Sequence, residues 1–359
     1  MKRVSARHAS RLFGRLLGMT AMIGTLPFTA PASAADAPFA GEAACRTLDP
    51  ASVDGPLPQS DHVAVLRWFG YSSYEIAYRG HVLLFDAYYD GSRPAGSRHV
   101  GVAASDIRRA EVVLVGHPHG DHIQDAPAVS RQTGATIFVA PPGRSVLADA
   151  HVPADKVHIV AGGEAIRMPG YTIHVALAQH AVHDGDILRK WSEAMRASEP
   201  DPASLPPLRD VHFNPPNPAD PNDIVSHGTL SYVVTFDDGF TVAFRDSPGN
   251  VTQGERDLVA QTRAAGHHID VGIIGYNGAG ADLTIRTTGM ALAEAYRPDI
   301  LLLAHHDRVG ALLPDIPVLP FFEDLRDRLP QTRAYASLYR SPICVDTRTR
   351  AVYVGNDVR

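Results

Sequence analysis

Short apolar and alternating runs come first in the chain, and helical periods interleaved with extended runs come later. Residues 66–70, 74–78 and 81–86 read as three closely spaced strands, with Arg79-Gly80 turning the second into the third. The stretch Ala110-Glu111-Val112-Val113-Leu114-Val115 is a buried-strand pattern that stops at Gly116. Helical candidates at 127–132, 143–150, 252–265 and 288–296 are each followed by a β-branched or Leu-rich run, at 136–140, 157–160, 270–275 and 299–304. Residues 171–178 alternate as a half-buried strand does. Residues 229–236, the turn Asp237-Asp238-Gly239 and residues 240–246 form a second hairpin that echoes the first. Two hairpin-then-α/β halves predict an α/β (α+β) chain in which two sheets pack face to face with helices outside, as one domain over 61–359. There is no short tandem repeat. The exception is 200–223, too dense in Pro, Asp and Asn for a helix or a central strand. It marks an insertion at about 184–228, which reads as a surface excursion or, since it follows His180, as a lid with Trp191 as its apolar contact.

The N-terminus reads as an export signal. Lys2, Arg3, Arg11 and Arg15 precede an apolar run at 16–26, and Ala32-Ser33-Ala34 has the small-x-small form of a cleavage site. No Arg-Arg pair precedes the apolar run, so the general secretory route is expected, with cleavage near Ala34. An uncleaved anchor is the alternative reading, although a comfortable span needs about 20 apolar residues. Residues 35–60 then form a loose leader of a periplasmic or secreted mature chain. The two cysteines, Cys45 and Cys344, can pair in an oxidising compartment or remain free thiols. A net charge of −6 gives no basic footprint for nucleic acid. A small-molecule substrate fits better, and no segment after the signal is apolar enough to span a membrane. Oligomeric state is not legible.

Chemistry concentrates in His117-Pro118-His119-Gly120-Asp121-His122. Imidazoles and a carboxylate at this density suit a borderline-soft divalent ion, and a compositional His tract rarely contains an Asp or follows a buried strand. Beyond Gly116 the chain must turn, so His117 and His119 can converge on one ion while Asp121 and His122 swing to another. Three further candidates stand at strand ends: His180, Asp246 and His305. His183 and His306 compete with their neighbours as ligands, or act as outer partners or proton donors. Asp86, ending a strand, reads as a carboxylate that receives a hydrogen bond from the metal loop. Tyr88, Tyr89 and Tyr276 are further candidate donors, the last beside the Gly-rich stretch 275–280, which lacks dinucleotide spacing.

His117, His119, Asp121 and His122 resemble the signature of the metallo-β-lactamase superfamily, and the opening strands, ending on Asp86, are similar to that family's as well. The resemblance runs from Val63 to the C-terminus. It implies a four-layer αββα sandwich with two divalent ions at one edge, zinc foremost, with manganese or iron as alternatives. It places His117, His119 and His180 on the first ion, Asp121, His122 and His305 on the second, and Asp246 between them. Arg245 departs from the glycine the family commonly has before this Asp, which leaves a salt-bridged structural Asp246 as the alternative.

Such a site implies a binuclear hydrolase in which a metal-bridged hydroxide attacks, Asp121 orients the nucleophile and His183 or His306 assists the leaving group. The resemblance is nearest to the phosphosugar-lactonase and N-acylphosphatidylethanolamine-phospholipase-D-like branch, which implies an ester, lactone or phosphodiester substrate. A periplasmic metallo-β-lactamase and a non-enzymatic metal-binding protein on the same fold are the competing readings.

Overall fold

The computed structural model describes residues 39–93, 97–181, 228–277, 282–307 and 316–355. The expected signal at 1–34 and nearly all of the insertion, including His183 and Trp191, lie outside them.

Period-two alternation builds both sheets. The first runs through β1 (Val63–Trp68), β2 (Tyr74–Tyr78), β3 (His81–Phe85), β4 (Val112–Leu114), β5 (Thr136–Val139) and β6 (Val157–Ile159), with β14 (Ile343–Asp346) and β15 (Val352–Val354) added beyond β1. The second contains β7 (Ala165–Met168), β8 (Tyr171–Leu177), β9 (Leu230–Phe236), β10 (Thr241–Arg245), β11 (Val271–Gly275), β12 (Ile300–Ala304) and β13 (Arg333–Tyr335), in the order β13-β12-β11-β10-β9-β8-β7. Alternate residues point inward. Leu66, Phe85, Leu114, Tyr232, Val234, Phe244 and Leu302 share the core between the sheets, whereas Val233, Ala243, Leu301 and Leu303 face outward.

Helices cover both outer faces. On the first sheet, α2 (Ala126–Thr133) and α3 (Gly143–Asp149) follow the single turn α1 (Gly120–Ile123), and Val129 and Leu147 pack on Val113 and Val139. On the second, α4 (Gln253–Ala264), α5 (Asp282–Tyr296) and α6 (Leu319–Arg328) bring Leu258, Met290 and Phe321 against Ile274 and Leu303. The layer order is αββα, as expected. The α5 helix starts six residues before the expected 288, hidden by the Gly-rich stretch ahead of it. The α6 helix was not among the expected elements; Pro320 sits in its first turn, where the missing N–H costs nothing.

Residues 39–60 are not the loose leader expected. Arg67 and Glu75 face each other across β1 and β2, fully buried, with Nη1 and Oε1 3.3 Å apart. Such a pair is tolerated inside a protein when its remaining hydrogen-bonding capacity is used. Here Arg67 Nη2 donates to the carbonyls of Ala44 and Thr47, while Glu75 accepts from the N–H groups of Ala51 and Ser52. A Cys45–Cys344 disulfide, Cα–Cα 6.1 Å, fastens the same segment to β14.

The strand directions matter most for function. β3 and β4 are parallel, β10, β11 and β12 are parallel, and two antiparallel steps through β9 return β8 to the direction of β10. Asp86, the 117–122 loop, His180, Asp246 and His305 therefore all follow the C-terminal ends of their strands.

Candidate metal centre

Close backbone approach assembles the centre. A Cβ on Gly116 would lie 2.2 Å from the Asp246 carboxyl, and one on Gly275 2.0 Å from the Asp246 carbonyl. Only glycine lets β4 and β11 come that near. After Gly116 the chain passes His117 and Pro118 to His119, which N-caps α1, so Asp121 and His122 project from a helical turn. Gly120 takes helical dihedrals there; the turn comes from the helix start and uses no left-handed glycine.

His117 Nε2 lies 2.9 Å from His119 Nδ1 and 3.1 Å from His180 Nε2. The outer nitrogens fix what these inner atoms are. His117 Nδ1 donates to Asp246 Oδ2, and His180 Nδ1 donates 2.8 Å to the Ala181 carbonyl. With Nδ1 engaged on the outer side, each ring turns its Nε2 inward toward the other donors, which is the donor arrangement of a His-ligated metal.

The second half is built alike. His122 Nδ1 donates 2.7 Å to Asp86 Oδ2, which leaves Nε2 facing Asp121 Oδ1 at 3.6 Å, while Asp121 Oδ2 lies 3.1 Å from His305 Nε2. The donor atoms in each of three groups lie within 4.8 Å of one another: His117, His119 and His180; His117, His122 and Asp246; Asp121, His122 and His305. The side chains of His117, His122, His180, Asp246 and His305 are buried, and His119 and Asp121 are partly exposed.

Asp246 makes contacts of its own kind. Its Oδ2 receives His117 Nδ1 and lies 3.2 Å from His122 Nδ1, behind the nitrogens that face the other donors. Its Oδ1 is buried with no hydrogen-bond partner, as is His305 Nδ1. Arg245 Nη1 stands 3.9 Å from that oxygen, and Arg245 otherwise serves as a brace. It donates to Glu255 Oε1 at 2.8 Å and to the carbonyl of Gln179, immediately before His180. Glu255 also receives Tyr296 Oη and closes the capping box of α4 with Thr252. The arginine at this position thus ties the Asp246 strand end to the His180 strand end.

Asp86 receives both the Gly116 N–H at 2.7 Å and His122 Nδ1, as expected of it. Burial pushes its carboxyl up to about 7, against the pull of His122. Burial likewise raises Asp246. Burial works against charge on His122, but Asp121, Asp86 and Asp246 outweigh it and push the imidazole up to about 10. Asp121 is held well below the ordinary carboxylate range, burial being overcome by His122 and His305. Without a cation the cluster holds protons, and a divalent ion would displace them.

Other candidates fall elsewhere. The His306 ring stacks on Trp68 with centroids 4.4 Å apart, and it is His305 that joins the donor groups. His183 lies outside the described residues. Tyr276 packs on Phe321 beneath the outer helices, and Tyr89 packs edge-on against Phe69, so neither reaches the centre as expected. Tyr88 meets Tyr71 edge to face at 4.9 Å. Tyr71, in the tight turn between β1 and β2, was not singled out in the sequence. The Gly70-Tyr71-Ser72 turn was the only signal available, and it does not reveal which way a side chain faces. A fourth donor group, His268, Asp270 and Asp299, lies on the other end of the second sheet. There Arg350 Nε is 2.7 Å from Asp270 and 3.0 Å from Asp299, so these carboxylates already have a cation.

No protein-family model matches the chain. Among curated proteins it is similar to a UPF0173 metal-dependent hydrolase of Nitratidesulfovibrio vulgaris, 29% identical over 123 residues, which is 33% of this chain and 49% of the relative. A relative of the same description from Symbiobacterium thermophilum is 33% identical over 115 residues, 32% of this chain and 47% of its own. The chain thus spans about half the length of the curated relatives it matches. Among solved structures, Igni18, a metallo hydrolase from Ignicoccus hospitalis, shares the fold with TM-score 0.51 at 13% identity, covering 79% of this chain and 98% of that one.

Replacing Asp86 by Asn keeps the side-chain shape and suits the residue's left-handed backbone, φ 51°, but removes the charge that orients His122. Metal affinity is expected to fall about 10–100-fold. Competition against a chromophoric chelator measures it, with unchanged circular dichroism as the folding control, and unchanged affinity would show that Asp86 does not orient the loop.

The αββα layers and the His-x-His-x-Asp-His loop at the end of β4 together form the arrangement that the resemblance to the metallo-β-lactamase superfamily implies.

Proposed function

We propose that the chain is an exported, binuclear metal-dependent hydrolase of an ester, lactone or phosphodiester. The observation that carries the reading is the convergence of His117, His119 and His180 in one donor group and of Asp121, His122 and His305 in another. A third group, His117, His122 and Asp246, takes one histidine from each half and joins them.

His117, His119 and His180 would hold one divalent ion and Asp121, His122 and His305 the other, with Asp246 shared. Bound there, the ions supply an activated water at neutral pH and polarise the group to be cleaved. Zinc suits the nitrogen-rich half best, and manganese or iron suit the half with the carboxylate. Asp121, partly exposed, has one oxygen toward His305 and the other toward His122, where it can orient the attacking water. Asp246 and Asp86 hold the His117 and His122 rings by their Nδ1 nitrogens.

Similarity to metal-dependent hydrolases supports the reaction class, and resemblance to the lactonase and phospholipase-like branch supports the substrate classes. Replacing His119 or Asp246 by Ala is expected to abolish turnover, by more than about 10²-fold, while the chain stays folded. A panel of ester, lactone, phosphodiester and β-lactam substrates on metal-loaded protein measures this. Undiminished turnover in either variant would refute the site, and cleavage confined to β-lactams would replace the substrate assignment.

Export rests on the basic-then-apolar start and on the Cys45–Cys344 disulfide, which fits an oxidising compartment. No helix among the described residues is long and apolar enough to cross a membrane. Expressed in a Gram-negative host, the protein is expected in the periplasmic fraction with an N-terminus near Ala35. Recovery of the chain with Met1 intact in the cytoplasm would contradict this.

A further inference from the structure

Tyr71 is held in place at a cost to the fold. It is a bulky residue with φ 48°, in the left-handed region that such side chains avoid. Its N–H donates to the Asp307 carboxylate at 3.1 and 3.2 Å, and its carbonyl accepts from Trp68 Nε1 at 2.7 Å and from the His305 N–H at 2.6 Å. Asp307 is itself fixed by the Tyr339 hydroxyl at 2.7 Å. The backbone of Tyr71 is therefore tied directly to the strand end that carries His305.

The side chain is confined as closely. Its ring stands edge-on to His305 at 5.0 Å and to Tyr88 at 4.9 Å, with the Arg93 guanidinium 5.2 Å from its centroid. The residue is 1% exposed, yet the phenol oxygen has no hydrogen-bond partner among the described residues. An unsatisfied buried hydroxyl destabilises a fold, and a phenylalanine would fill the same space without that cost. The hydroxyl lies within the electrostatic reach of Asp121. Strained backbone and unsatisfied donors cluster at functional sites, and both stand here beside the same metal half.

We propose that Tyr71 is a catalytic residue whose hydroxyl donates a hydrogen bond to the substrate oxygen that gains negative charge at the Asp121–His122–His305 half. That oxygen is the carbonyl oxygen of an ester or lactone, or a non-bridging oxygen of a phosphodiester. No proton is transferred; the bond shortens as charge develops, which stabilises the transition state more than the ground state. The assignment rests on the metal-hydrolase reading, but it can fail without it.

Tyr71→Phe tests the proposal through two readouts. Metal content should equal that of the wild type, and thermal stability should be equal or higher, because the deleted hydroxyl has no partner in the protein. Orthophosphate, as an oxyanion probe, should bind the metal-loaded variant about 10-fold more weakly by calorimetry, the loss of roughly one hydrogen bond. For cleaved substrates kcat should fall about 10²–10³-fold with little change in KM. Equal phosphate affinity and equal kcat in variant and wild type would overturn the role of Tyr71 and leave the metal reading standing. A wild type that takes up no divalent ion would overturn both.

Discussion

Histidine nitrogens turned inward by acceptors on their outer side organise this protein. His117 and His180 each have a proton acceptor against Nδ1, the Asp246 carboxylate for one and the Ala181 carbonyl for the other. Their Nε2 atoms are thereby turned to face each other at 3.1 Å. A cation is the natural occupant of the point on which these nitrogens converge. The outer acceptors are as much a part of the centre as the inner nitrogens, because they choose the tautomer.

Holding such atoms together requires strand ends that do not drift. β3 and β4 come from the first sheet and β8, β10 and β12 from the second, so the centre spans the gap between the sheets. Buried interactions hold the strand ends on either side of that gap. Arg245 and Glu255 link the β8 and β10 ends, Asp86 links β3 to the metal loop, and Tyr71 links the β1–β2 turn to His305. Gly116 and Gly275 are needed because the backbones meet at Asp246 with no room for a side chain. The left-handed conformations of Tyr71, Asp86 and His305 cluster at the same edge, where strain is offset by the packing around it.

Much of this was legible in the sequence, for reasons that differ by residue. The 117–122 run is local, so its chemistry can be read directly. His180, Asp246 and His305 were placed as strand ends, which periodicity can locate, but their convergence depends on sheet order and came from the family resemblance. Arg245 looked like a departure from pattern because its value is non-local, a bond to Gln179 and a pair with Glu255. Tyr71 was invisible for a similar reason, since the direction of a turn residue is set by Asp307 far along the chain. Residues 39–60 looked loose because nothing in their own composition reveals Arg67 and Glu75 beneath them.

The central claim is that the two donor groups hold two divalent ions side by side, and anomalous X-ray diffraction from crystals grown with zinc or manganese tests it most directly. The account predicts two anomalous peaks, one bonded to His117 Nε2, His119 Nδ1 and His180 Nε2, the other to Asp121, His122 and His305. A crystal grown with the metal that shows no peak between His117 and His180 would contradict it, as would metal found only at the His268, Asp270 and Asp299 group.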